Sequence, residues 1–203
     1  RFPPCPGRIF DNAPMKIVIL NRDGTINALG SDEYVASPDD WVALPGALEA
    51  IARLNRAGWH VVVASNQPGL GRGMFDVATL NAIHAKMHRQ LAAVGGRIDA
   101  VFYCPHAPDE ACTCRKPAPG LLEQICERYG VDCEDIVVAG NCLVHLQAGA
   151  AIGARLHLVC TCESAGIAPD QPLPPGWPEG TRVHADLAAF ADHLLQKTGA
   201  TPA

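Results

Sequence analysis

The sequence predicts an α/β domain of three layers, a Rossmann-like central parallel sheet covered by helices on both faces. Short β-branched apolar runs recur along the chain and alternate with longer segments of helical spacing. Runs that are apolar throughout suit strands buried on both faces, and alternation with helices makes their connections parallel crossovers. A third observation is chemical: four of the runs end in polar residues, and ligands of open parallel sheets lie at the carboxyl ends of the strands.

The first strand is Lys16 to Leu20, which stops abruptly at Asn21-Arg22-Asp23-Gly24-Thr25. A helix follows from Gly46 to Ala57. The second strand, Trp59 to Ala64, runs into Ser65-Asn66-Gln67 and then a glycine-rich stretch from Pro68 to Gly73. After a helix from Val77 to Val94 comes the third strand, Ala100 to Tyr103. It leads to Cys104-Pro105-His106, then Cys112-Thr113-Cys114 and Arg115-Lys116-Pro117. A helix from Pro119 to Tyr129 precedes the fourth strand, Asp135 to Ala139, which exits through Gly140-Asn141. Leu143 to Ile152 is helical, and Leu156 to Cys160 is the fifth strand. Ile167 to Gly180 carries five prolines and is an excursion before the last helix, Ala185 to Lys197. Residues 1–14 hold four prolines and no signal-peptide core, and are expected to form a disordered extension to a single domain over 15–203.

Composition narrows the function classes. The chain has 203 residues, 48% of them hydrophobic, and a net charge of −5 from 16 basic and 21 acidic side chains. No basic face invites nucleic acid or anionic lipid. No apolar run reaches the roughly 18 to 20 residues of a membrane span. Nine cysteines are unusual, and three of them stand beside His106. Cys104, His106, Cys112 and Cys114 form a Cys₃His pattern that fits a tetrahedral Zn²⁺ site. With four protein ligands no position is open for a catalytic water, so the zinc is structural and fixes the loop that presents Arg115 and Lys116. A metal role for the cysteines favours a reducing compartment, hence the cytoplasm. Cysteines 5, 126, 133, 160 and 162 are read as isolated small side chains. None of the nine cysteines has an arginine six positions on, and the glycine-rich stretch lacks the Gly-Lys-Ser/Thr ending of a P-loop.

Together these motifs resemble the haloacid dehalogenase (HAD) superfamily, and within it the D-glycero-D-manno-heptose 1,7-bisphosphate phosphatases. The paired cysteine motif through Arg115-Lys116-Pro117 is the most specific part, supported by Arg22 to Asn27 and by Ser65 to Gln67. The resemblance implies a HAD-type fold with a minimal cap and a zinc-bound loop. It implies a nucleophilic aspartate at position 21, an acid/base aspartate at 23, and a phosphate grip made by Ser65, Asn66, Gln67, Arg115 and Lys116. Mg²⁺ would be held by the side chain at 21, the backbone carbonyl of Asp23 and an aspartate at 141.

The sequence departs from that pattern at its centre. Position 21 is Asn21, position 141 is Asn141, and a further acidic position is His145. A carboxamide is not a nucleophile, and Mg²⁺ prefers anionic oxygen. The expectation is an impaired or inactive homologue with weak Mg²⁺ binding, acting as a monomer on a small phosphorylated sugar. Two alternatives stand beside it. One is a working phosphatase for a sugar or histidinol phosphate that uses direct water attack or another metal. The other is a non-catalytic module that senses a sugar phosphate. Cys142 and His145, three apart, are expected to pack rather than to bind a soft metal.

Overall fold

The computed structural model describes residues 15–29 and 34–198; the extension read at 1–14 lies outside the described residues. In chain order the elements are β1 (Lys16–Leu20), α1 (Ala47–Arg56), β2 (Trp59–Asn66), α2 (Pro68–Gly71), α3 (Val77–Ala93) and β3 (Ala100–Cys104). They continue with α4 (Gly120–Tyr129), β4 (Val137–Gly140), α5 (Leu143–Ala151), β5 (Arg155–Val159), β6 (Arg182–His184) and α6 (Leu187–Thr198). The strands form one sheet in the order β3-β2-β1-β4-β5-β6, with every pair parallel.

Strand alternation divides the core into two layers. Val18 and Leu20 of β1, with Val61 and Val63 of β2, pack under α1, α3 and α6. Ile17 and Ile19, with Val62 and Ala64, face α4 and α5. Both faces of the central strands are therefore buried, at roughly 1.5–3 kcal/mol for each large apolar side chain. This is the three-layer arrangement expected from the continuous apolar runs.

The departures are local and have physical causes. β2 runs two residues past Ala64, because Ser65 and Asn66 remain in register with Tyr103 and Cys104 of β3. β4 starts at Val137 because Cys133–Asp135 folds as a short 3₁₀ turn. The glycine-rich stretch contains the single helical turn α2, started by Pro68. The edge strand β6 has only three residues, too few to carry a period. Cys126 and Cys133 are joined in a disulfide with Cα atoms 5.7 Å apart, which corrects the reading of both as isolated side chains. Gly130, left-handed at φ 63°, ends α4 and turns the chain back between them.

The chain order reverses at β1, whose neighbours are β2 on one side and β4 on the other. The crevice at such a switch point, outside the strand carboxyl ends, is where doubly wound folds bind ligands. Asn21, Ser65 and Asn141 all lie there.

Candidate functional site

Asn21 follows the last residue of β1, and its side-chain amide ties the crevice together. Nδ2 donates to the Asp23 carbonyl at 2.8 Å and to Asn141 Oδ1 at 3.0 Å, and lies 3.7 Å from Cys142 Sγ. Oδ1 accepts from Lys116 Nζ at 2.9 Å. This network fixes the orientation of the amide: turned over, its NH₂ would face an ammonium and its oxygen two other oxygens.

Asn141 is held just as closely. Thr25 Oγ1 donates to its Oδ1 at 2.9 Å and accepts from its backbone N–H at 3.1 Å. Ser164 Oγ donates to its carbonyl, and Thr161 Oγ1 donates to the Gly24 carbonyl at 2.6 Å, so the exit of β5 also closes on the site. Gly24 is left-handed at φ 77°, and a Cβ there would lie 2.2 Å from Asn141 Nδ2. Asn141 Nδ2 itself is buried with no hydrogen-bond partner among the described residues.

Lys116 comes from beyond the cysteine loop yet reaches β1. Its backbone is fixed by Asn66, whose Oδ1 accepts from Lys116 N–H and whose Nδ2 donates to Lys116 C=O, both at 3.0 Å. The buried ammonium then donates to Asn21 Oδ1, to Ala64 O at 2.7 Å and to His145 Nδ1 at 3.0 Å. All three protons are used, and all three acceptors are uncharged. Burial pushes the Lys116 ammonium down to about 8, with Cys142, Asp23 and Glu163 opposing. Burial first and the Lys116 charge second push His145 far below its ordinary value, so it is neutral and accepts through Nδ1.

Asp23 is clamped by four donors. Arg22 Nε and Nη2 donate to its two oxygens at 2.9 and 3.0 Å, Asn27 Nδ2 to Oδ1 at 3.1 Å and Gln67 Nε2 to Oδ2 at 2.9 Å. Arg22 is wholly buried, and its Nη1 lies 3.0 Å from His84 Nε2 on α3. Burial and the Arg22 charge lower His84 to about 4, so its Nε2 is the acceptor. Ser65 Oγ accepts from Gln67 Nε2 at 2.7 Å, which connects β2 to the same brace.

The four residues of the cysteine loop converge. Their ligand atoms all lie within 4.8 Å of one another. Cys104 Sγ is 3.7 Å from Cys112 Sγ, and His106 Nδ1 is 3.4 and 3.3 Å from the sulfurs of Cys104 and Cys114. Tetrahedral ligands at zinc–sulfur lengths stand about 3.8 Å apart, so the donor set and the spacing suit a soft, four-coordinate ion. Burial and the neighbouring Cys114 thiol push Cys104 up to about 12. The loop is seated by Gly71 of α2, where a Cβ would lie 2.2 Å from the Ala107 nitrogen.

Of the residues expected from the sequence, Asn21, Asp23, Ser65, Asn66, Gln67, Lys116 and Asn141 meet in the crevice. Arg115 lies apart: its Nη2 donates to the Glu110 carbonyl at 2.7 Å and braces the cysteine loop. Arg22, Thr25, His84, Thr161 and Ser164 are additional members. Arg22 could have been found as a charge two residues after a buried strand, where it must be paired. A cavity of about 880 Å³ opens beside the cysteine loop, lined by Leu70, Phe75, Tyr103, His106 and Glu110 among others.

The oxygens assigned to Mg²⁺ by the resemblance do not suit that ion. Asp23 O and Asn141 Oδ1 each accept an Asn21 N–H, Asn21 Oδ1 accepts from Lys116, and none of the three is anionic. Mg²⁺ dehydrates reluctantly and is held in proteins through carboxylates.

Comparison with known proteins agrees with this geometry. A family model for haloacid dehalogenase-like hydrolases matches residues 18–153. The D-glycero-β-D-manno-heptose-1,7-bisphosphate 7-phosphatase of Bordetella bronchiseptica is 54% identical over 183 residues, covering 90% of this chain and 99% of the relative. Its counterpart in Pseudomonas aeruginosa is 46% identical over 180 residues, with 89% and 98% coverage. The crystal structure of the B. bronchiseptica D,D-heptose 1,7-bisphosphate phosphatase complexed with magnesium and phosphate superposes with a TM-score of 0.84, covering 90% of this chain and 99% of that one. That of the Burkholderia thailandensis phosphatase gives 0.68 at 52% identity, with 89% and 98% coverage. The chain belongs to the haloacid dehalogenase-like hydrolases, as a homologue of the heptose-1,7-bisphosphate 7-phosphatases in which Asn21 stands at the position of the catalytic aspartate.

Proposed function

We propose that the chain binds a heptose phosphate or a closely similar sugar phosphate and hydrolyses it poorly or not at all. The observation that carries this reading is Asn21, whose carboxamide oxygen accepts from Lys116 and whose nitrogen is spent on Asp23 and Asn141. An amide in that arrangement presents no anionic oxygen to phosphorus and forms no aspartyl-phosphate. Ser65, Asn66, Gln67 and Lys116 form the phosphate grip, Arg115 braces the cysteine loop behind it, and Asp23 keeps the acid/base position. The cavity beside the cysteine loop offers room for the sugar.

Cys104, His106, Cys112 and Cys114 hold a structural zinc ion in this reading. Bound there, zinc supplies no chemistry to the substrate; it cross-links the loop two residues before Lys116. We also propose a cytoplasmic monomer on the strength of the thiol cluster at the cysteine loop, against which the Cys126–Cys133 disulfide weighs. Among the described residues no helix is long and apolar enough to cross a membrane.

The test is phosphate release from D-glycero-D-manno-heptose 1,7-bisphosphate with Mg²⁺, run beside the B. bronchiseptica relative. The expected rate is at least about 10³-fold below the relative's. A comparable rate would overturn the reading.

A further inference from the structure

We infer that the crevice between β1 and β4 binds a phosphoryl oxyanion without any divalent cation, because Asn21 and Asn141 reproduce both the charge and the cross-linking that an ion would bring. The inference rests on the phosphate-binding reading above and adds the state of the site that does the binding.

Charge comes first. Two carboxylates at 21 and 141 would contribute two negative charges, and a bound Mg²⁺ would cancel both. Two carboxamides contribute none, so the centre without an ion has the formal charge of the aspartate centre with one. Of the charges nearby, Asp23 is matched by Arg22, which clamps both its oxygens. Lys116 has no ion pair among the described residues: its buried ammonium donates to Asn21 Oδ1, Ala64 O and His145 Nδ1, and the carboxylates of Asp23 and Glu163 act on it only through space. A buried cation contacting neutral acceptors alone favours the arrival of an anion.

Organisation comes second. An ion would gather the oxygens at 21, 23 and 141. Here the Asn21 NH₂ does so, at 2.8 Å from Asp23 O and 3.0 Å from Asn141 Oδ1. The exits of β1 and β4 are thus fastened before any ligand binds, so ordering them adds no cost to binding.

The third observation is the buried Asn141 Nδ2, which has no hydrogen-bond partner among the described residues. Its orientation is imposed, because Asn21 Nδ2 and Thr25 Oγ1 both donate to the oxygen of the same amide. An aspartate at 141 would offer only acceptors. Asparagine leaves a spare donor in the centre, and a phosphoryl oxygen is the acceptor that the chemistry of the site calls for.

Equilibrium dialysis of the full chain tests this, with inorganic phosphate and with mannose 6-phosphate as probes. Buffers are cleared of divalent ions by resin, leaving the cysteine cluster loaded, and are used with and without millimolar MgCl₂. Uncoupled ligands leave each other's affinity unchanged, so Mg²⁺ is expected to alter either dissociation constant by less than about twofold. In the N21D/N141D variant Mg²⁺ is expected to strengthen binding at least about tenfold. Tighter binding of mannose 6-phosphate than of inorganic phosphate identifies an ester as the ligand; equal binding identifies the free anion, and both uphold the inference. Binding by the wild-type chain only with Mg²⁺ overturns the inference and leaves the phosphate-binding reading standing. Failure to bind either probe in either buffer overturns both. These wild-type outcomes hold even where the double variant fails to fold.

Discussion

Arg22 Nε and Nη2 hold the two carboxylate oxygens of Asp23 at 2.9 and 3.0 Å, although the two residues are neighbours in the chain. Arg22 is fully buried, and its remaining contacts run to His84 and Gln67. Removing one partner of a buried ion pair leaves the other uncompensated, which costs about 3–5 kcal/mol. Arg22→Met is therefore expected to lower the urea midpoint strongly with little change in slope. A loss below about 1 kcal/mol would show that the clamp has no structural role.

The catalytic deficit is expected to need two changes for its repair. Asn21→Asp alone supplies a nucleophile, but Asn141 still offers Mg²⁺ a neutral oxygen and keeps its unpaired NH₂. Little activity should return. Asn21→Asp with Asn141→Asp should raise Mg²⁺-dependent phosphate release by at least about 10³-fold over the parent. Single turnover in oxygen-18 water, followed by analysis of the protein for a covalent phosphate, tests the route. Equal recovery by the single variant would count against a damaged metal site.

Stability should fall in acid through paired histidines at the far edge of the sheet. His157 Nδ1 lies 2.9 Å from His184 Nε2, and the His193 ring stands 5.6 and 5.2 Å from those two rings. Burial first, then the neighbouring His184 and His193, lowers His157 to about 3; burial and His193 lower His184 to about 4. Unfolded histidines titrate near 6.5. The depressed folded values mean that full stability is present above about pH 6.5. It declines as the unfolded chain takes up protons, and the decline ends near pH 3. Urea unfolding between pH 7.5 and 4.5 should show it, and His157→Phe should reduce the slope, the remainder coming from His84, His145 and His184, whose folded values are also depressed. An unchanged slope would place the acid sensitivity elsewhere.

The cysteine loop should depend on its metal. Purified protein is expected to carry about one zinc per chain. Cys114→Ser should lose the metal, lower the Tm by about 5 °C or more, and weaken phosphate binding through Lys116. Metal analysis with thermal unfolding checks this. Full zinc content in the variant would rule out Cys114 as a ligand.

The sequence exposes whatever is periodic or local. Lys16 to Leu20 is apolar at every position after the first, and so short and β-branched a run, ending in a polar loop, suits a strand buried on both faces. Arg182 to His184 is too short to show a pattern and becomes a strand because β5 leaves an edge to pair with. At the site, Asn21 and Asn141 are legible because each directly follows a strand. That Lys116 meets Asn21, 95 positions earlier, follows from β2 lying next to β1, and no local signal carries it. The Cys126–Cys133 bond is illegible for a similar reason: it depends on how α4 ends.

Asn66 pairs with both backbone groups of Lys116, so its side chain stands in for the peptide unit of an adjoining strand. This gives the chain a fixed gauge. The segment after Cys114 is measured off against β2, and an inserted or deleted residue there would move the ammonium off its mark. The stretch from His106 to Cys112 is held differently, by the close approach of Gly71 to Ala107 and by Arg115 on the Glu110 carbonyl. One side-chain amide thus sets the length of the step from the last cysteine to the lysine.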